Sequence, residues 1–465
     1  MYITENMIQK MMVTLGAIDN KSIIIKDLIE KDKVSLEKIA MQNGVDYYLG
    51  KQDILDHSFQ KYTVNGVEYT DDNKSNNQIV HTYHKLLVDQ KTGYIVGNPT
   101  AIVVDPETEG VSDILGANFQ DKLNDWVIGA SNQGVEFMHP YYDVKGLFKF
   151  TIISALELIP IYDANYEAEI VEMIRYYPVD FINSDGVTES RNRVEWWTAN
   201  DVSYYIELED RRYIPDPEVE EEQGHWSSIN SSSKIKEQKS WGKVPFIALY
   251  NNSNQTTDLQ PIKTQIDDYD FNVSDFSNNL ADLQDAIWVL KGYEGTNLAE
   301  FQRNLKKFKA INVGEDGTVD AKLLEIPKEA RDSLLDRNVQ DIYTFGMGVN
   351  MRTDKFGDSP SGIALQFLFS NLVLKVKPLE RKLQTALQEL VWFVLQHLGK
   401  EAKVKFIFDY SMPINETEII KNLEISDMPP EEYFAKHPYI QDYEAALEWK
   451  KKEDENIIDL STNAE

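Results

Sequence analysis

His81 and His84 stand three residues apart in a stretch with helical periodicity, a spacing that lets two imidazoles share a face and ligate a metal. The sequence nominates no third ligand beside them, so the alternative is a pair of partly exposed helix histidines. Asp71-Asp72, and Asp354 with Asp358, are carboxylate pairs of the kind that hold Mg²⁺. Both pairs lie in polar loops, where Asp also serves turn formation. With a divalent ion, Asp71, Asp72 or Asp358 would give a nuclease-type reading of the chain. The strongest basic run is Arg303, Lys306, Lys307 and Lys309, which is either a docking surface or the outer face of a short amphipathic helix.

The chemistry that is missing weighs as much. There is no Gly-x-x-x-x-Gly-Lys-Ser/Thr phosphate loop, no Gly-x-Ser-x-Gly elbow and no His-Glu-x-x-His zinc motif. The chain has no cysteine, which excludes disulfides, thiolate metal sites and a cysteine nucleophile. No catalytic residue, metal or cofactor is therefore expected. The 465 residues suggest about two to four domains. Asp and Glu number 77 against 47 Lys and Arg, a net charge of −30, which argues against tight wrapping of nucleic-acid phosphates. With 24 Tyr, 19 Phe and 8 Trp there is ample apolar area for a core. No apolar run approaches a membrane span, and Met1 to Leu15 has no secretory-signal pattern.

The elements that must position these residues divide into two textures. Up to about residue 257 the chain reads as mixed α/β: helices in the first 60 residues, a polar loop over 64–77, a helix over 78–96 stopped by Gly97-Asn98-Pro99, and a strand at 101–104. A second helix runs through Phe119, Leu123, Trp126 and Val127. Strands follow at 135–139, 147–153, 170–177, 194–198, 203–208 and 244–250. The breaker-rich stretch 209–239, with Glu220-Glu221-Glu222, reads as a solvated excursion within the sheet.

Beyond it the chain turns helical. Ile262, Ile266, Tyr269, Val273, Phe276, Leu280, Leu283 and Ile287 form one apolar stripe about 26 residues long, roughly 40 Å. Asp267, Asp268, Asp275, Asp282 and Asp285 fall on the opposite face, so one side packs and the other is acidic. A small insert over 288–327 contains a short helix and a strand pair, 310–313 with 319–326, about Gly314-Glu315-Asp316-Gly317. A helix returns over 328–345, and a Gly-, Asp- and Ser-bearing loop spans 347–361. The longest helix then carries Leu365, Leu368, Leu372, Val376, Leu379, Leu383, Leu387, Leu390, Val394 and Leu398, with a kink expected at Pro378. A strand at 403–408 and short tail helices close the chain.

This order, an α+β body followed by a long helix, insert, returning helix, loop, kinked helix and helical tail, resembles the portal proteins of tailed double-stranded-DNA bacteriophages. The likeness is to those of long-tailed phages infecting Gram-positive bacteria. It is carried by Tyr47-Tyr48-Leu49-Gly50-Lys51-Gln52-Asp53-Ile54, by Val88 to Pro99, by Leu158-Ile159-Pro160-Ile161-Tyr162-Asp163 and by Lys243-Val244-Pro245-Phe246. Asp285 to Tyr293, Asp354-Lys355-Phe356-Gly357 and Ser361-Gly362-Ile363-Ala364-Leu365 complete it. These stretches are collinear across about 45 to 445.

The resemblance implies a non-enzymatic ring of roughly twelve subunits at one capsid vertex. Residues 1–257, with the strand at about 403–409, would be the wing; 258–287 and 328–346 the stem helices; 288–327 the clip. Residues 347–361 would be the channel loop, with Asn350, Arg352, Thr353, Asp354, Lys355 and Asp358 facing DNA. Residues 362–400 would be the long wing helix and 411–465 the crown. Implied partners are further copies of the chain, double-stranded DNA, the terminase ATPase, capsid and scaffolding proteins, and the head–tail connector, in a virion assembled in the host cytoplasm. Arg303, Lys306, Lys307 and Lys309 would sit on the clip where motor and connector dock. A head–tail adaptor ring is the other structural reading, though the chain is longer than an adaptor needs.

Overall fold

The computed structural model of the chain describes residues 3–5, 7–9, 11, 20–72, 74–105, 110–164, 169–182, 186–219, 223–229, 236–282, 287–291, 318–322, 328–351, 362–410, 429, 432–433, 446–447 and 449–450. The fold is mixed α+β, in two compact units. Residues 1–45, 86–258 and 347–465 form the first, and 46–85 with 259–346 the second.

In the first unit, the helix Asn20–Lys33 buries Ile24, Ile25, Leu28 and Ile29 against a sheet face made by Ile159, Ile161, Ile174, Val194 and Trp196. That sheet runs in the order Ile3–Thr4, Leu158–Tyr162, Ile170–Ile182, Thr188–Trp197, Asp201–Glu207, Tyr213–Pro215. Its first pair is parallel and the rest antiparallel. A second core lies between the helix Phe119–Gln133, the strands Val135–Tyr142, Phe148–Ile153 and Ile247–Tyr250, and the long helix Gly362–Leu398. The long helix behaves as its sequence pattern predicts: Leu372, Val376, Leu379, Leu383, Leu387, Leu390 and Val394 are all buried. Each such side chain contributes on the order of 2 kcal/mol, and Pro378 sits inside the helix without ending it. The strand Lys403–Ile407 returns to pair antiparallel with Ala101–Asp105.

The second unit is built on two helices, Lys263–Asp282 and Lys328–Phe345, which run antiparallel side by side. Asn338 Nδ2 donates to Asp268 Oδ2 (2.6 Å) near one end, and Arg331 Nη2 bonds Asp275 Oδ2 (2.9 Å) nearer the other.

Several expectations are corrected. The first half of the polar loop expected over 64–77 belongs to a β-hairpin, Lys61–Val64 with Val67–Thr70, and the described residues from 71 to 77 are in neither helix nor strand. Asn65 and Gly66 both take positive φ (50° and 80°), the conformation a two-residue hairpin turn requires. The helix expected over 78–96 begins only at Tyr83, and 75–81 is extended. His81 is consequently not on that helix, and His84 is fully buried within it, so the two do not form a ligand pair. The helix Lys263–Asp282 does not extend to 287 as expected, because Ile287–Lys291 is a strand. The strand Thr318–Lys322 pairs with Ile287–Lys291, a pairing that the turn signal did not announce; the expected pairing with 310–313 falls on residues outside those described. Residues 310–313, the short helix through Arg303, Lys306, Lys307 and Lys309, and most of 411–465 lie outside the described residues.

Candidate functional site

The acidic residues of the helix Lys263–Asp282 provide the densest polar chemistry in the second unit. Asp267 accepts the Tyr47 hydroxyl on one oxygen and Lys263 Nζ (2.9 Å) on the other, and Lys263 also pairs with Asp53. Burial, then the hydrogen bond to Asp267, raises the Tyr47 hydroxyl well above its ordinary pKa. Lys263, whose ammonium stands 4.8 Å from the Tyr47 ring centroid, is held firmly protonated by Asp53, Tyr47 and Asp267 although burial works against it. Asp275 accepts Asn279 Nδ2 (2.9 Å) as well as Arg331, and Asp282 accepts both the backbone N–H (3.0 Å) and the hydroxyl (2.7 Å) of Ser75. Asp285 lies outside the described residues.

The buried side of this helix departs most from the sequence reading. Its buried positions are Ile266, Asp270, Ser274 and Asn278, of which only Ile266 belongs to the expected apolar stripe, while Leu280 of that stripe is exposed. These polar side chains, four residues apart and therefore stacked on one side of the helix, meet the extended segment 75–81. His81 N–H donates to Asp270 Oδ1 (3.1 Å), Ile79 N–H to Ser274 Oγ (2.9 Å), and Asn77 N–H to Asn278 Oδ1 (2.6 Å). Ser75 to Asp282 is the fourth rung. Asp270 also takes the His81 ring nitrogen Nδ1 at 2.8 Å. Burial raises the Asp270 carboxyl above the ordinary value against the pull of His81, and its Oδ2 has no partner among the described residues. No sequence motif announces this ladder; its only trace is the i, i+4 recurrence of short hydrogen-bond acceptors.

The loop 347–361 is described only at its start, in the first unit. Gln90 holds Val349 at two points, donating Nε2–H to its carbonyl (2.8 Å) and accepting its N–H (3.0 Å). A Cβ on Gly348 would fall 2.0 Å from a Leu87 methyl, so the backbone lies directly on that side chain. Asn350 follows this anchor; Arg352, Thr353, Asp354, Lys355 and Asp358 lie outside the described residues.

A buried charge cluster sits where the first unit's central segment ends. Asp258 accepts Lys91 Nζ (2.6 Å) and Asn251 Nδ2 (3.0 Å), and Lys375 Nζ stands 3.3 Å away. Burial pushes the Lys91 amine down to about 8, and the two lysines together hold Asp258 below the usual carboxylate value despite its own burial. Sequence reasoning missed this cluster because Lys91 and Asp258 are 167 residues apart. No group of three or more His, Cys, Asp or Glu side chains able to hold a metal ion occurs among the described residues. No helix among them is long and apolar enough to cross a membrane.

Comparison with known proteins gives a collinear likeness. The family model for phage portal proteins of the SPP1 Gp6-like kind matches residues 27–459. The portal protein of Bacillus phage SPP1 is 31% identical over 459 residues, covering 94% of this chain and 90% of that protein. The portal protein of Clostridium phage phiCD119 is 29% identical over 467 residues, covering 94% and 98%. Among solved structures, a chain from the neck of a native GTA particle computed with C12 symmetry covers 76% of this chain and 88% of that chain. It does so at 10% identity and a TM-score of 0.38, a likeness that carries no argument.

Proposed function

Because the chain belongs to the SPP1 Gp6-like family of phage portal proteins, we propose that its copies close into a ring at one capsid vertex, through which double-stranded DNA enters and later leaves. The observation that carries this reading is the family match over 27–459, which takes in body, paired helices, loop and long helix in one register. The family is structural rather than enzymatic. A separate terminase ATPase therefore supplies the work of packaging, and the ring supplies the path and the docking platform for motor and connector. The chain acts as a virion component.

In this reading the helices Lys263–Asp282 and Lys328–Phe345 are the stem, 288–327 the clip and 347–361 the channel loop. A ring of roughly twelve copies at −30 each carries about −360, a field that repels phosphates and keeps DNA from adhering to the conduit. Lys263 and Arg331 partly neutralise the stem acids, so the repulsion comes from the sum of charges rather than from one bare acidic face. Arg352 and Lys355 against Asp354 and Asp358 leave the channel loop near neutral, suited to weak and transient phosphate contact.

The docking assignment is tested by reversing Lys306, Lys307 and Lys309 to Glu together. The expected result is rings that assemble normally but no longer support DNA packaging by the motor. Wild-type packaging by these rings would overturn the assignment.

A further inference from the structure

We infer that residues 53–81 form an arm latched to the helix Lys263–Asp282, able to detach and reclose in one register without unfolding the rest of the chain. The latch is the ladder of Ser75, Asn77, Ile79 and His81 on Asp282, Asn278, Ser274 and Asp270. Two residues of extended chain advance about 6.6 Å and four residues of helix about 6 Å, so alternate N–H groups meet successive turns.

The register is keyed. The position one turn before Asp270 in the helical series is Ile266, which has no side-chain acceptor. A slip of one turn in that direction therefore loses a rung. The closed position is the one in which every rung is made.

The hold is polar throughout the strap. No residue from 74 to 82 is buried, so lifting it exposes no core, and water can replace each bond that is broken. The arm also holds itself together. Gln78 Nε2 donates to the Leu55 (2.9 Å) and His57 (2.6 Å) carbonyls, Phe59 N–H donates to Asn76 Oδ1 (2.9 Å), and Gln60 Nε2 donates to the Lys74 carbonyl (2.7 Å). Beyond the ladder, the arm meets the helix through the Asp53–Lys263 pair, Asn77 Nδ2 donating to Ser277 Oγ (3.3 Å), the His81 ring edge-on to Tyr269 (4.7 Å between centroids) and the ring cluster of His57, Phe59 and the exposed Phe271. Every residue of the hairpin strands 61–64 and 67–70 is exposed, and Ile54 is the one buried hydrophobic side chain among the described residues of the arm, so its packed load is small. Its two ends lie together at the base. Gly50, at φ +76°, stands beside the Thr82 methyl, and Gln52 Nε2 bonds the His81 carbonyl (2.9 Å). Segments held by few apolar contacts and many exposed hydrogen bonds open below the free energy of global unfolding.

The test is hydrogen exchange, resolved to single amides, on the purified full chain; it reads the latch whether or not rings form. The amides of 75, 77, 79 and 81 should exchange at a common rate, at least about tenfold faster than those of the buried long helix around Leu383–Leu390. Asn278→Ala, which removes both bonds to Asn77, should accelerate all four by about thirtyfold and leave the long helix unchanged. Asn278→Asp, which keeps the acceptor oxygen but not the Nδ2 donor, should restore part of the protection. Because the chain has no cysteine, a Ser75→Cys/Asp282→Cys pair can be oxidised selectively; it should slow exchange of the strap amides, with reversal on reduction. Strap amides that exchange only as slowly as the long helix would overturn the latch. So would an Asn278→Ala variant in which amide 77 alone is accelerated, since the rungs would then act independently.

Discussion

Asn278 grips Asn77 by both ends of its side-chain amide: its Oδ1 accepts the Asn77 N–H at 2.6 Å, and its Nδ2 donates to the Asn77 carbonyl at 3.1 Å. An asparagine on a helix thus completes the hydrogen bonding of an extended backbone residue 201 positions earlier. Ser274 and Asp270, one and two turns back along the same side, accept the N–H groups of Ile79 and His81. The buried side of the helix is thus turned away from the apolar stripe that periodicity gives, and it reads out backbone N–H groups.

Asn278→Leu tests the ladder directly. A helix side held by apolar burial would accept the leucine, but the ladder loses both bonds and leaves the Asn77 peptide group without its partner. The variant should be destabilised by about 2 kcal/mol in denaturant unfolding. Equal or greater stability would contradict the ladder's energetic role.

Glu136 should make stability fall with rising pH. Its carboxylate is buried against Gly129 and receives N–H groups from Phe137 (3.3 Å) and Ala155 (3.1 Å), with Gln133 donating to the other oxygen. Burial outweighs these bonds and pushes the group up to about 8 from 4.5. A raised carboxyl contributes its stability in full below the unfolded value and loses it as pH climbs through the folded one. The wild-type chain should therefore lose stability between about pH 4.5 and 8, on the order of a few kcal/mol. Glu136→Gln should flatten this slope. A variant with an unchanged pH profile would assign the dependence to other groups.

Lys91 and Asp258 should show strong non-additivity. Lys91→Met leaves Asp258 buried with Lys375 and Asn251 alone, a loss of about 3 kcal/mol. Asp258→Asn removes the carboxylate that both lysines face and should cost at least as much. The double variant should be less destabilised than the sum of the singles, because it removes the uncompensated charge. Simple additivity in unfolding experiments would show that the pair is not coupled.

What could be read from sequence follows from how each element is held. The long helix is legible because Leu372 through Val394 are buried apolar residues at helical spacing, and periodicity detects that pattern directly. The existence of the helix Lys263–Asp282 is legible for the same reason, but its packing is not. Ser274 and Asn278 serve backbone donors that no local pattern reveals. The segment 78–82 is expected to be helical because Ile79 and Tyr83 fit a helical period, yet the Ile79 and His81 N–H groups are satisfied by side chains far along the chain. The hairpin carried a legible signal in Asn65-Gly66, obscured by the polar residues that follow it. Gln90, Lys91 and Asp258 belong to long-range hydrogen-bond groups, which sequence spacing does not encode.

The most direct measurement is electron microscopy of the purified full-length protein across a range of concentration and ionic strength. The account predicts closed rings with a central hole wide enough for duplex DNA, built of roughly twelve copies. Monodisperse single subunits under every condition would contradict it.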